Sequence, residues 1–541
     1  MPKLRIPFLG AVLVATQMLT GAAAAVAQTP PPAAAGATDS QPSPQGRQLL
    51  DSVIRAMGGE VALRELATVR RTVSADWMDP GQQPRPWSGS YELGALPVGD
   101  RVPLEVIVNY ATGEFSRREQ RGALSGEPLI LYDAGGPSGG FGTMTDRSGI
   151  PILRRYSATE FAPLATGELR RFPEALLLWA TRSARLEQLA DRTVGGAREL
   201  ALSFVDPAGR TLTLYIDPQT RLPHSVAWTR FHPSIGQTVS EIAFSDFRSS
   251  GRLTLPFRYV IRSGGQPSLA YQVRTVTQRG AEPLRFEPPQ GTVAYQGGQG
   301  PPTLNSLGRG VYEVVGTYNS AFAVFPDYIL MIDAPIDENY TRQIIELIRT
   351  IEPTKPIRLA ATHFHYDHIG GIRYAISQGI PIWATSHTRT AIERMLDPSL
   401  SFGADALSSQ PRPPIIETVG ARTVFEGGEQ RVELLDIGPT RHSEQNLVAY
   451  FSNVEALLAA DVWDIHAPTV AVPTNDAALM FHRLRQSHVR VGRFIPVHGV
   501  PVAREDLLRG FQTRARQTGE DTEDAERVLS EDIGWQHGAE Q

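Results

Sequence analysis

Two hydrophobic rhythms divide the chain. From about Arg47 to Pro289 apolar and polar positions alternate in short runs closed by turn residues. The stretch ELALSFVDPAGRTLTLYIDPQTRLPHSVAWTRF holds three such runs, split at Asp206-Pro207-Ala208-Gly209 and at Asp217-Pro218-Gln219. That spacing predicts an antiparallel meander. Runs at Thr238 to Phe247 and Tyr271 to Thr277 extend it. Helical periodicity is confined to Gly46 to Met57 and Glu174 to Arg182. The expectation is an antiparallel β-rich domain over residues 47–295, of a kind that can curve into a half-open barrel.

After Gln296-Gly297-Gly298-Gln299-Gly300-Pro301-Pro302, a linker by composition, the rhythm changes. Short apolar strands (VYEVVG, SAFAVF, YILMID, PIRLAATH, PIWATS) alternate with helical patterns at Asp337 to Arg349, Ile369 to Ser377 and Thr388 to Leu396. EQRVELLDIG, NLVAYFS and EALLAAD follow as strands, then a helix at Asp476 to Gln486 and a last strand, RFIPVHG. Sheets covered by helices predict an α+β, layered αββα domain over residues 303–541. The acidic tail from Thr518 reads as a solvated helix and a frayed end.

The amino terminus carries a third pattern. Lys3 and Arg5 precede a mostly apolar stretch from Ile6 to Leu19, and Ala25-Val26-Ala27 forms a small-x-small cleavage site. These describe a secretory signal peptide over residues 1–27. Residues 28–46 are rich in Pro, Ala, Gly, Ser and Gln and predict a flexible linker. The mature protein is therefore expected in the periplasm or outside the cell, with no stable membrane span after cleavage.

Composition narrows the chemistry. The 541 residues are 41% hydrophobic and 20% charged, enough for real cores. A net charge of −5 gives no electrostatic footprint for nucleic acid, leaving a small molecule, apolar or anionic, as the expected partner. The chain has no cysteine, which excludes disulfides, thiolate ligands, iron–sulfur clusters and a cysteine nucleophile. Any metal must be held by His, Asp or Glu.

Ten of the twelve histidines follow residue 360. The densest cluster is Thr362-His363-Phe364-His365-Tyr366-Asp367-His368-Ile369-Gly370-Gly371, between a strand and a helix. Residues two apart in extended backbone point the same way, so His363 and His365 can grip one ion. Asp367 and His368 point differently and can reach a second. Gly370 and Gly371 are expected to let the backbone turn sharply beside the site. Three further strand ends add His442, Asp461 and His498. Asp461 closes the apolar run ALLAAD, where an unpaired carboxylate would be costly to bury. Imidazole and carboxylate without sulfur suit zinc first, iron or manganese second.

This set resembles the metallo-β-lactamase fold superfamily of hydrolases, whose pattern is HxHxDH followed by a His, an Asp and a His in that order. All seven positions are present over about 240 residues from Leu304 onward. The resemblance implies two zinc ions, one held by His363, His365 and His442, the other by Asp367, His368 and His498, with Asp461 bridging. It implies hydrolysis by a metal-bridging hydroxide of an ester, thioester, lactone or similar bond, as in the glyoxalase II-like branch. Asp367 would orient the hydroxide and His466 would protonate a leaving group. β-Lactam hydrolysis of the all-histidine type is an alternative, although that branch lacks the bridging Asp. A redox role with one iron leaves four of the donors unused.

Tyr366, His387, His482, His488 and Asn446 carry no catalytic expectation. The first half, through Gly58-Gly59 after its opening helix and RLTLPFRYVIRSGG, resembles lipoprotein-sorting half-barrel proteins. That opens a non-enzymatic alternative: a periplasmic lipid- or ligand-binding protein with a vestigial metal site.

Overall fold

The computed structural model describes residues 42–77, 101–121, 129–280, 282–440 and 442–529. The signal-peptide segment, most of the first linker and Arg441 lie outside them. No helix among the described residues is long and apolar enough to cross a membrane.

The alternating rhythm of the first half builds one sheet of fourteen strands. Thr68–Trp77 lies near its middle. The chain steps outward through Arg101–Asn109, Glu114–Arg121, Leu129–Gly136 and Gly139–Thr145 to Pro151–Tyr156, each antiparallel to the last. Two helices, Ala158–Leu169 and Pro173–Arg182, carry it to the far edge at Leu186–Val194. From there six more strands run back to Gln266–Arg279, which pairs with Thr68–Trp77. The three expected strands appear as Ala197–Val205, Thr211–Ile216 and Pro223–His232. The strand order is linear, so the sheet is open.

One face of this sheet packs against helices. Leu49, Leu50 and Val53 of Pro44–Ala56, Phe161, and Leu176 and Leu177 of Pro173–Arg182 share a core with Val106, Leu214 and Leu255. The opening helix begins inside the expected linker, because the Ser43 side chain accepts a hydrogen bond from the Gly46 N–H (3.0 Å) and Pro44 occupies the first turn. Ala158–Leu169 was not expected; a capping box of Ser157 and Glu160 starts it.

The second half contains two sheets. Seven strands run from Thr303–Gly308 to Ile416–Thr418, and six from Arg422–Gly427 to Val502–Ala503. Residues of both, including Phe322, Leu330, Leu359, Leu434, Ala449 and Leu458, form one core, which also takes in Ile344 and Ile348 of the helix Glu338–Ile351. The second sheet packs a further cluster against Asn475–Gln486, Arg504–Thr518 and Glu523–Leu529.

Two expectations change here. Within the tail after Thr518, Glu523–Leu529 is helical but not simply solvated: Ala525, Val528 and Leu529 are buried, because apolar residues spaced by three and four among acids make one packing face; the expected frayed end beyond Leu529 lies outside the described residues. The Gln296 to Pro302 stretch is not a loose linker. Thr317 and Gly300 hydrogen-bond each other, and a Cβ on Gly298 would run into the Gly316 backbone.

Candidate metal centre

Strand direction gathers the donors. Gln430–Asp436, Ala456–Ala459 and Arg493–Pro496 run the same way, since Leu447–Phe451 is antiparallel to the first two and the last two are parallel. His442, Asp461 and His498 therefore follow their strands at a common edge. His363 and His365 follow Ile357–Ala360 of the other sheet, and Asp367 and His368 lie in the short helix Tyr366–Ile369.

The structure brings all seven together. His363, His365, His442 and Asp461 form one group, and Asp367, His368, Asp461 and His498 the other, with donor atoms in each group within 4.8 Å. Asp461 belongs to both. Its Oδ2 lies 3.3 Å from His442 Nε2 and 3.1 Å from His368 Nε2, and its Oδ1 lies 3.4 Å from His498 Nε2. His363 and His442 face each other with Nε2 atoms 2.8 Å apart. Asp367 Oδ2 stands 3.0 Å from His498 Nε2. Every donor side chain is buried.

Such burial would be costly without cationic charge. Burial pushes the Asp461 carboxyl up, but the charges of His368 and His498 and hydrogen bonds from His368 and His442 outweigh it and hold it well below the usual carboxylate range. Asp367 is likewise brought to about 2, His368 and His498 overcoming burial. Burial lowers His498, yet Asp461 and Asp367 lift it to about 9; the same carboxylates raise His368. Burial and neighbouring imidazoles depress His363. Cations held between these groups would offset the two buried carboxylates. By donor type and convergence these residues fit metal ions.

A supporting set fixes His368. The Tyr318 hydroxyl donates to Asp333 Oδ2 (2.6 Å), and His368 Nδ1 lies 2.6 Å from that hydroxyl and 3.1 Å from the same carboxylate. Thr362 donates to Asp333 from its backbone N–H (2.7 Å) and its hydroxyl (2.9 Å). Because the Tyr318 hydroxyl directs its proton at Asp333, its oxygen and that carboxylate can both accept from a proton on His368 Nδ1, which leaves Nε2 on the side of Asp461. Asp333 has no place in the HxHxDH pattern, yet it closes the apolar run YILMID just as Asp461 closes ALLAAD. Asn319 and Asn446 tie the neighbouring loops: the Asn319 amide donates to Pro496 and Gly499 carbonyls (2.8 and 3.0 Å), and Asn446 to Ala460 (3.2 Å).

Backbone strain collects here. Asp461, Asp333 and Ile336 have φ of +43°, +62° and +64°, the last unusual for a β-branched residue. The glycine pair works differently from the expectation. Gly370 and Gly371 have ordinary φ of −60° and −95°, so no sharp turn needs them. They are required for close approach: a Cβ on Gly370 would strike the Ile336 carbonyl, and one on Gly371 would sit 2.6 Å from the Asp337 oxygen.

His466 lies outside both donor groups. It is buried, and its Nδ1 has no hydrogen-bond partner among the described residues. Burial, then the charge of His498, brings it to about 3. Burial and the neighbouring His498 thus favour the neutral ring. Nearby, burial above all lifts Asp464 to about 7, a residue the sequence reading did not single out. His482 pairs with Asp524 at the surface (2.6 Å), and Gln445 accepts from the His387 N–H (2.9 Å).

A family model described as the metallo-beta-lactamase superfamily matches residues 314–461, so the C-terminal region carries a domain of that superfamily. Similar solved structures include a metallo-beta-lactamase from Pontibacter korlensis (19% identity, covering 39% of this chain and 99% of that one, TM-score 0.30). A metallo-beta-lactamase from Hirschia baltica is similar at 22% identity over 39% of this chain and 96% of that one, with a TM-score of 0.30. FIM-1 from Pseudomonas aeruginosa, in a mono-zinc form, is similar at 20% identity over 40% and 97%, with a TM-score of 0.29.

Proposed function

We propose that this chain is an exported, dinuclear metal-dependent hydrolase, acting on an ester, thioester, lactone or similar bond of a small molecule. The observation that carries the reading is the pair of donor groups joined through Asp461. Zinc is the ion that the sulfur-free imidazole and carboxylate set suits best, ahead of iron or manganese. Bound there, the ions would supply Lewis acidity and bring water to ionise near neutrality.

The chain's own residues would hold that arrangement. Asp461 would share its carboxylate between the groups, Asp367 would stand with His368 and His498 in the second of them, and Asp333 with Tyr318 would orient His368. The enclosing histidines exclude bulk water, and the neutral His466 ring would meet substrate as a hydrogen-bonding group. Aspartate at the bridging position favours the glyoxalase II-like branch over β-lactam hydrolysis of the all-histidine type. Export rests on the Lys3 to Ala27 pattern alone, which would send the enzyme to the periplasm or outside the cell.

A substrate panel tests the reading. Zinc-loaded protein should turn over at least one of a phenyl ester, an acyl thioester and a lactone, and leave nitrocefin untouched. Asp461→Ala should lower that turnover by about 10³-fold, equivalent to about 4 kcal/mol of barrier. Nitrocefin turnover alone would favour the β-lactamase reading. Absence of turnover in a metal-loaded protein that binds lipid would favour the non-enzymatic one.

A further inference from the structure

The loop Asp461 to Val470 bears the shared carboxylate, Asp464 and His466, and it is gripped from two sides. On one side Ile465 bridges to Gly499, and the Val500 N–H donates to the Ile465 carbonyl (2.7 Å). Gly499 has a φ of +114°, and a Cβ there would strike that same carbonyl. This ties the loop to the turn after His498.

The other side belongs to the N-terminal sheet. Val293–Ala294 extends that sheet by pairing in parallel with Ile152 and Leu153, and the Tyr295 N–H donates to the Leu153 carbonyl (2.8 Å). The next two groups reach across to the loop. The Tyr295 ring packs 5.3 Å from the His466 ring, tilted by 36°, and the Gln296 N–H donates to the His466 carbonyl (2.9 Å). Ile152, Met144 and Leu131 of the sheet bury Ala467 beneath this contact.

We propose that Tyr295 is a positioning residue of the metal site, acting through His466, so that the N-terminal domain completes the active site instead of being an appendage to it. The catalytic half of this statement rests on the hydrolase reading above; the clamp itself does not. A second contact has the same sense. His232, the last residue of the strand Pro223–His232, packs edge-on against Tyr366 at 5.5 Å, and Tyr366 stands between the donors His365 and Asp367. Close by, the Gln237 N–H donates to the Ser401 carbonyl (2.5 Å). The first sheet therefore touches the donor cluster's surroundings at two separate loops.

Hydrogen exchange by mass spectrometry on the full chain, with and without zinc, reads the clamp without any turnover. In Tyr295→Ala, amides of the Asp461 to Val470 loop should exchange at least about tenfold faster, while Tyr295→Phe, which keeps the ring, should match the wild type. In the zinc-loaded enzyme Tyr295→Ala should lower kcat by about tenfold with KM within about twofold and bound zinc unchanged. The Tyr295→Ala/His466→Ala double variant should lose no more than His466→Ala alone. Unchanged exchange in Tyr295→Ala, or additive losses in the double variant, would overturn the proposal. Faster exchange in a protein that turns over nothing would leave the clamp standing and reject the hydrolase reading.

Discussion

At Gly370 one added methyl group decides whether the donor loop fits beneath the Ile336 carbonyl. Both contacting groups are backbone, so neither can swing aside as a side chain would. Gly370→Ala should destabilise the protein by about 1–3 kcal/mol, in the range of overpacked cores. Gly167 is the control: it lies in the helix Ala158–Leu169 with open space around its Cα, and Gly167→Ala should stabilise by about 0.5–1 kcal/mol. Denaturant midpoints at constant slope measure both. A Gly370→Ala protein as stable as the wild type would show that the loop approach is not tight. The sequence marked this glycine pair but misread its purpose, because a glycine needed for a missing Cβ looks the same in sequence as one needed for φ. Asp333 was hidden differently: a single carboxylate after a strand gains meaning only when His368 is seen beside it.

Elements were legible where apolar periodicity was long and turn chemistry explicit. The three strands bounded by Asp-Pro turns, the Glu338–Ile351 helix and the strands that precede each donor all fall within a few residues of their expected positions. Less legible were helices whose buried face carries charge. Pro173–Arg182 was anticipated from Glu174 onward, but nothing in its pattern disclosed that Glu174 is wholly buried, paired with an equally buried Arg71 and accepting from the Tyr110 hydroxyl (2.8 Å). The Arg71 guanidinium also lies 4.3 Å over the Phe172 ring. Removing one partner strands the other charge in the core. Glu174→Ala should cost about 3–5 kcal/mol, whereas Arg71→Met/Glu174→Leu should lie much nearer the wild type. Urea unfolding distinguishes them, and a Glu174→Ala loss below about 1 kcal/mol would mean that the pair is not sealed from water.

Across the whole molecule, the antiparallel β-rich character of the first half could be read from its alternating rhythm. The relation between the halves could not. His232, Tyr295 and Gln296 stand in stretches without metal-ligand spacing, and their contacts with Tyr366 and His466 span more than a hundred residues. Only the fold places them there. The seven donors were the opposite case, since HxHxDH and three strand-end residues carry their chemistry in their spacing. The most direct test of the central claim, that these residues enclose a pair of ions sharing Asp461, is zinc titration of the metal-free protein followed by plasma mass spectrometry. The wild type should retain about two zinc ions per chain and Asp461→Ala at most about one. A wild type retaining none, or an Asp461→Ala protein retaining as much as the wild type, would contradict the account.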